Sequence, residues 1–264
     1  MDRPEGARNL LVVAGLDPSG GAGFLADARV AERHGLRPVG VITALTVQTT
    51  SDVHAVEPVA AELVGAQLTA LLSDAEVVAG AIGMLGDEAV AVAVAEALRL
   101  TAAPLVWDPV LRASAGGAVL YRGDPRGALA VLRDHIALVT PNLAEAEALV
   151  GFEVRDVASM RRAARAIAGQ GVACLVKGGH LAGQAAAGGI VDVLAAGDSL
   201  LEIEGARVPG GEDVHGTGGA LATAIACQLA RGADLATAAR AGAGFVRERL
   251  AAPVRSGRGR PSVM

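Results

Sequence analysis

The apolar residues of this chain come as short unbroken runs separated by longer helical patterns. Leu10-Leu11-Val12-Val13-Ala14, Val39-Gly40-Val41-Ile42-Thr43, Val77 to Ile82, Leu105-Val106-Trp107, Ala137-Leu138-Val139 and Cys174-Leu175-Val176 show no apolar–polar alternation. Strands of this kind are covered on both faces, as in sheets built from parallel strands. Helical stretches fall at 20–35, 57–74, 87–100, 124–135, 143–150 and 157–169. Repeated βα units predict a mostly parallel central sheet with right-handed crossovers and helices on both faces. Near the end the pattern changes: Ile190 to Leu194 and Leu200 to Ile203 flank Gly197-Asp198 as a short antiparallel hairpin. Two helices follow, at about 217–231 and 234–251. No linker or internal repeat appears, so one α/β domain over 1–264 is expected, with its core at about 9–252 and a tail at 253–264.

With 52% hydrophobic residues, the chain of 264 can bury a substantial core. A net charge of -5 supplies no electrostatic reason to bind nucleic acid. The basic cluster Arg255-Ser256-Gly257-Arg258-Gly259-Arg260 reads as a solvated tail, the alternative being contact with a ligand or a neighbouring subunit. Cys174 and Cys227 sit in apolar surroundings, as inert core thiols of a reducing compartment do. Met1 to Glu5 carries no positive segment before an apolar one, so a cytoplasmic rather than a secreted protein is expected. Gly, Asp or Pro breaks each apolar run before ~18 residues, and no membrane span is expected.

Ligands of such sheets bind beyond the carboxyl ends of the strands, where this chain places its polar, glycine-rich segments. Asp213-Val214-His215-Gly216-Thr217-Gly218-Gly219 opens directly onto a helix. The first amides of a helix lack internal acceptors and carry the positive end of its dipole, which suits a phosphate. At the last position of the turn, where a proton-accepting side chain would serve best, stands Gly219. Asp17-Pro18-Ser19-Gly20-Gly21-Ala22-Gly23 follows the first strand without matching either standard nucleotide-binding glycine motif; a tight strand-to-helix turn explains it equally well.

Other strand ends carry chemistry in combination. Asp27 either faces solvent or accepts from a substrate amine. Gln48 either solvates a loop or pairs with a heterocycle edge, and Met84 either fills the core or lines a pocket. Asn142 and Glu145 have the spacing of a helix capping box. The functional alternative is that Asp108 and Glu145 supply hard oxygen ligands, largely through water, to Mg²⁺ bridging phosphates. Lys177 either sits in solvent or neutralises phosphate charge. Together, at one sheet edge, these residues form a phosphoryl-transfer site. Residues 181–189 have the composition of a flexible lid.

From about residue 10 to 260 the chain resembles the hydroxymethylpyrimidine/phosphomethylpyrimidine kinases of thiamine biosynthesis, within the ribokinase-like superfamily. The resemblance lies in Ala14 to Gly23, Val41-Ile42-Thr43-Ala44-Leu45, Ile82-Gly83-Met84-Leu85, Thr140-Pro141-Asn142-Leu143 with Glu145, Lys177-Gly178-Gly179-His180 and His215-Gly216-Thr217-Gly218. It implies a ribokinase-like α/β fold, a homodimer, and ATP as donor to the hydroxymethyl group of 4-amino-5-hydroxymethyl-2-methylpyrimidine and then to the monophosphate. It also implies pyrimidine contacts at Asp27, Gln48 and Met84, with Val110 lining the pocket. The Mg²⁺–phosphate region falls to Asp108, Asn142 and Glu145, a nucleotide-phosphate contact to Lys177, and the anion hole to Gly216, Thr217, Gly218 and Gly219.

The family's turn ends in cysteine and the wider superfamily's in aspartate, placed to take the proton of the substrate hydroxyl. Gly219 offers neither, and Cys227 lies about 12 Å further along the helix at 1.5 Å per residue. General base catalysis contributes ~10²–10⁴-fold, so weakened turnover is expected, rising again in Gly219→Cys. Water, His215 or Asp213 would then serve as base. The alternatives are a pyridoxal or pyridoxine kinase and a non-catalytic pyrimidine- or nucleotide-binding homologue.

Overall fold

The computed structural model describes residues 8–113, 117–179, 181 and 189–264. Its strands are β1 (Asn9–Leu16), β2 (Arg37–Gln48), β3 (Val53–Pro58), β4 (Val77–Ile82), β5 (Gly86–Asp87), β6 (Leu105–Trp107), β7 (Tyr121–Arg122), β8 (Leu138–Val139), β9 (Ala173–Val176), β10 (Gly189–Ala196) and β11 (Ser199–Ala206). The helices are α1 (Gly23–Arg33), α2 (Ala61–Asp74), α3 (Glu88–Ala97), α4 (Pro125–Leu132), α5 (Leu143–Val150), α6 (Val157–Ala168), α7 (Thr217–Leu229) and α8 (Leu235–Ala251). Nine strands pair in the order β11-β10-β9-β8-β6-β4-β1-β2-β3. The run from β9 to β2 is parallel. The expected hairpin is β10–β11, antiparallel from Gly189↔Ala206 to Ala196↔Ser199.

The unbroken apolar runs have the expected cause. In β1, Leu11 and Val13 pack into one layer with α2 to α6, while Leu10, Val12 and Ala14 pack into another with α1, α7 and α8. A strand with apolar neighbours on both sides has no polar face to show.

Two elements differ from expectation. The helix expected from residue 57 begins at Ala61, and before it lies β3, antiparallel to β2. An edge strand leaves one side in solvent, so its residues need not be apolar, and Pro58 is tolerated at its end. The tail does not stay in solvent: Arg255 and Arg258 are exposed, but the chain then turns inward. Val263 donates its amide to the His215 carbonyl and Pro261 accepts from the His215 amide. Val263 and Met264 are buried against Ala26, Val30, Val214, Ala220 and Ala224. None of the described helices is long and apolar enough to cross a membrane. The expected lid falls mostly on residues outside those described.

Candidate active site

The chain passes from β1 to β2 on one side and later inserts β4 on the other, so the sheet switches direction beside β1. Clefts form at such points beyond the strand ends. A cavity of about 290 Å³ opens there, with Asp17, Met84, Asp108, Asn142, Glu145 and Lys177 on its walls. Asp27, Gln48, Val110 and Gly216 to Gly219 line it too, so every substrate, metal and phosphate contact expected from the sequence reaches one cavity. Of the two expected replacement bases, His215 lines the cavity and Asp213 does not. Asp213 lies in a turn before α7 and is exposed.

Gly216 caps α7 in the left-handed region, at φ 82°. A Cβ there would run into the Gly21 carbonyl oxygen, so only glycine fits. No side chain caps the helix; Thr217, Gly218 and Gly219 of its first turn line the cavity, and the free amides of such a turn suit an anion. Charged groups stand close behind the turn. A Cβ on Gly218 would lie 2.8 Å from Asp108 Oδ2 and 3.2 Å from Lys177 Nζ.

Asp108 and Lys177 end β6 and β9, and Lys177 Nζ donates to Asp108 Oδ1 at 2.5 Å. Thr140 donates to the same oxygen at 3.2 Å. Burial works against the charge on Lys177, yet Asp108, Glu145 and Asp192 hold its pKa above the ordinary value. Asp192, in β10, accepts from the Gly178 amide at 2.8 Å and so braces the segment carrying Lys177.

The capping-box reading of Asn142 and Glu145 holds geometrically. Glu145 donates its amide to Asn142 Oδ1 at 2.9 Å, and the Asn142 amide donates to Glu145 Oε2 at 2.8 Å. This is a capping box at the start of α5. Yet Glu145 is buried, and burial pushes its pKa up to about 7 against the pull of Lys177, with Asp108 raising it further. Mg²⁺ keeps several waters and takes one or two carboxylates beside substrate phosphates. A buried Glu145 and an Asp108 whose Oδ2 faces the anion turn are a donor set of that type. Among the described residues no cluster of three metal-ligating side chains forms.

Part of the cavity wall is apolar. Met84 packs with Ala44 and Leu120, and Val53, Val56, Val110 and Ala113 lie against them. Thr43 Oγ1 fixes the Met84 carbonyl at 2.5 Å. Met84 thus fills core and lines the pocket at once. Gln48 Nε2 lies 3.2 Å from His215 Nε2, and its Oε1 accepts from Thr46. Asp27 is buried on α1 and accepts from Thr223 Oγ1 at 3.0 Å.

Sequence reading missed three residues here. Asp17 accepts from the amides of Ser19 and Ala22 at 2.8 and 3.0 Å, which shapes the glycine-rich turn. Burial opposes its charge, but hydrogen bonds from His215 and Ser19 hold its pKa below the usual carboxylate value. An Asp two residues before a Ser is an Asx-turn signal that would have found it. Thr223, alone and polar in an apolar helix, was a comparable signal. Leu120 carried none, because it reaches the pocket from a loop.

Known proteins resemble this chain along nearly its whole length. Residues 17–264 match the family described as phosphomethylpyrimidine kinase. The hydroxymethylpyrimidine/phosphomethylpyrimidine kinase of Rhizobium meliloti is 42% identical, over 92% of this chain and 90% of that protein. The crystal structure of a phosphomethylpyrimidine kinase from Clostridium difficile is 30% identical and overlays with a TM-score of 0.77, covering 91% of this chain and 98% of that one. Pyridoxal kinase from Staphylococcus aureus in complex with ADP overlays with a TM-score of 0.86 at 25% identity, covering 98% of this chain and 93% of that one. A ribokinase-like sheet, an anion turn at α7 and a paired Asp108–Lys177 thus accompany a sequence match along nearly the whole chain: it belongs to the phosphomethylpyrimidine kinase family.

Proposed function

We propose that this chain transfers a phosphoryl group from ATP to the hydroxymethyl group of 4-amino-5-hydroxymethyl-2-methylpyrimidine, to its monophosphate, or to both, in thiamine biosynthesis. The observation that carries this reading is that the start of α7, Asp108 and Lys177 stand together in a cavity that the apolar Met84 cluster also lines. Met84 and Val110 offer apolar contact to a flat ring, and Asp27 and Gln48 offer hydrogen bonds to its polar edge. Lys177 offsets the charge of the nucleotide phosphates, and Asn142 lies beside them. The amides of Thr217, Gly218 and Gly219 receive the migrating group. Fixed dipoles of this kind need no reorganisation as charge develops, and phosphoryl transfer depends chiefly on such alignment and charge stabilisation. Magnesium, held by Asp108 and Glu145 largely through water, supplies charge neutralisation on the phosphates when bound. The same proposal includes a cytoplasmic homodimer, for which Leu45 and Val47 on β2 offer exposed apolar surface.

The test is ADP formation by the purified chain with ATP, Mg²⁺ and the aminopyrimidine alcohol, beside pyridoxal. Mg²⁺-dependent turnover with a higher kcat/KM for the aminopyrimidine is expected. A higher value for pyridoxal would make the chain a pyridoxal kinase. Tight calorimetric binding without ADP would make it a binding protein.

A further inference from the structure

Gly219 lacks a side chain, but the space beside it is not empty of chemistry. A Cβ built on Gly219 would stand 3.1 Å from Oδ1 and 3.8 Å from Oδ2 of Asp27. Asp27 reaches this position from α1, across the sheet face that α1 and α7 share. It is 3% exposed and lines the cavity. Thr223 Oγ1 donates to Oδ1 at 3.0 Å; among the described residues no hydrogen-bond donor meets Oδ2. A carboxylate therefore borders the corner where the turn would otherwise present its own proton acceptor.

We propose that Asp27 is the catalytic base: its Oδ2 takes the hydroxyl proton of the acceptor alcohol. This rests on the kinase reading above and adds a role to the ring contact given there. The balance is simple. The alcohol oxygen forms a bond to the γ-phosphorus, and the bond from that phosphorus to the β,γ-bridging oxygen breaks. Its electron pair leaves on ADP, and the hydroxyl proton passes to Oδ2 and then to solvent as products depart. In the aminopyrimidine the amine and the hydroxymethyl group stand on adjacent ring carbons, so one carboxylate can meet both.

The environment suits the task. Burial pushes the Asp27 pKa up to about 7, Thr223 draws it down, and the charge of Asp108 raises it. A base works best when its pKa lies near the working pH. The titratable groups facing Asp27 are Asp108 with its partner Lys177 at the ends of β6 and β9, and the Cys227 thiol on α7. The Asp17–His215 pair joins the turn that precedes α1 to the turn that precedes α7. His215 is already engaged: its Nε2 faces Asp17 Oδ2 at 3.4 Å and Gln48 Nε2 at 3.2 Å, and its ring packs at Gly21.

Wild type, Asp27→Asn and Thr223→Val are assayed with Mg²⁺, ATP and the aminopyrimidine alcohol across neutral pH. Wild-type kcat should rise through an acid limb near pH 7. Asp27→Asn should lose ~10²–10⁴-fold in kcat and lose the limb, with KM for ATP unchanged. Thr223→Val removes the donor that lowers the Asp27 pKa, so its limb should move to higher pH. Should Asp27→Asn fail a thermal melt or fail to bind a nonhydrolysable ATP analogue, the Thr223→Val limb decides alone. Retained kcat in a folded Asp27→Asn with only a raised KM for the alcohol, or an unmoved limb in Thr223→Val, overturns the proposal and leaves the kinase reading standing. A wild type that forms no ADP overturns both.

Discussion

Oδ2 of Asp17 stands 3.4 Å from Nε2 of His215, joining the turn after β1 to the turn before α7. The two turns form neighbouring walls of one cavity, and the C-terminal residues clamp the second from behind through Pro261 and Val263. The turn before α7 is therefore held by two distant stretches of chain as well as by its own glycine.

Asp17→Ala should loosen that junction. It strips acceptors from the Ser19 and Ala22 amides, and a buried donor left unsatisfied costs about 1–3 kcal/mol. The Asp17 pKa is depressed, so its stabilisation is present above the ordinary carboxylate value of 3.8 and is lost as pH falls through the lower folded value. The wild type should lose Tm steeply in that acid range and Asp17→Ala less steeply, as read by melts against pH.

Lys177→Met should damage folding and activity together. The side chains of Lys177 and Asp108 are 15% and 4% exposed, so the substitution leaves Asp108 buried without its cation. Breaking a buried pair from one side costs about 3–5 kcal/mol. Denaturant melts should register that loss, and KM for ATP should rise in whatever folded protein remains.

Glu145→Gln separates the two duties of that side chain. Glutamine can still close the capping box, so Tm should change by little, while the Mg²⁺ concentration needed for half-maximal activity should rise. Asn142→Ala removes the cap and should cost about 1 kcal/mol of stability. An unchanged Mg²⁺ requirement in Glu145→Gln would confine Glu145 to the cap.

The buried Asp27 gives stability a slope of the opposite sign to that of Asp17. Its folded pKa of about 7 exceeds the ordinary 3.8, so between those values the native state holds a proton that the unfolded chain has released. Stability from this group is fully present below the lower value and falls as pH rises to the upper one. Over that window Asp27→Asn should show a flatter dependence of Tm on pH than the wild type.

Gly219→Cys should lower kcat, contrary to what the sequence motif alone suggests. The new Cβ would stand 3.1 Å from Asp27 Oδ1, so the carboxylate must shift by a few tenths of an ångström from the position that serves the proposed base. A turnover assay beside the wild type decides this; a higher kcat in the variant would show that the corner tolerates both groups.

Periodicity and local chemistry were enough to reveal the strands of the parallel sheet, the β10–β11 hairpin and the Asn142–Glu145 box. Each depends on neighbours within a few residues or on burial that leaves an unbroken apolar run, as in Leu10 to Ala14. The gathering of the candidate residues around one cavity was legible because successive βα units deliver their strand ends to one sheet edge. The exposed edge strand β3 left no such mark. Nor did the pairs Lys177–Asp108, Thr223–Asp27 and His215–Asp17, since the order of strands in the sheet and the packing of α1 on α7 set those distances. A glycine at 219 reads in sequence as a missing base, and only the packed helices reveal that a carboxylate from elsewhere borders the gap, because contact between segments far apart in the chain is a property of the assembled layers.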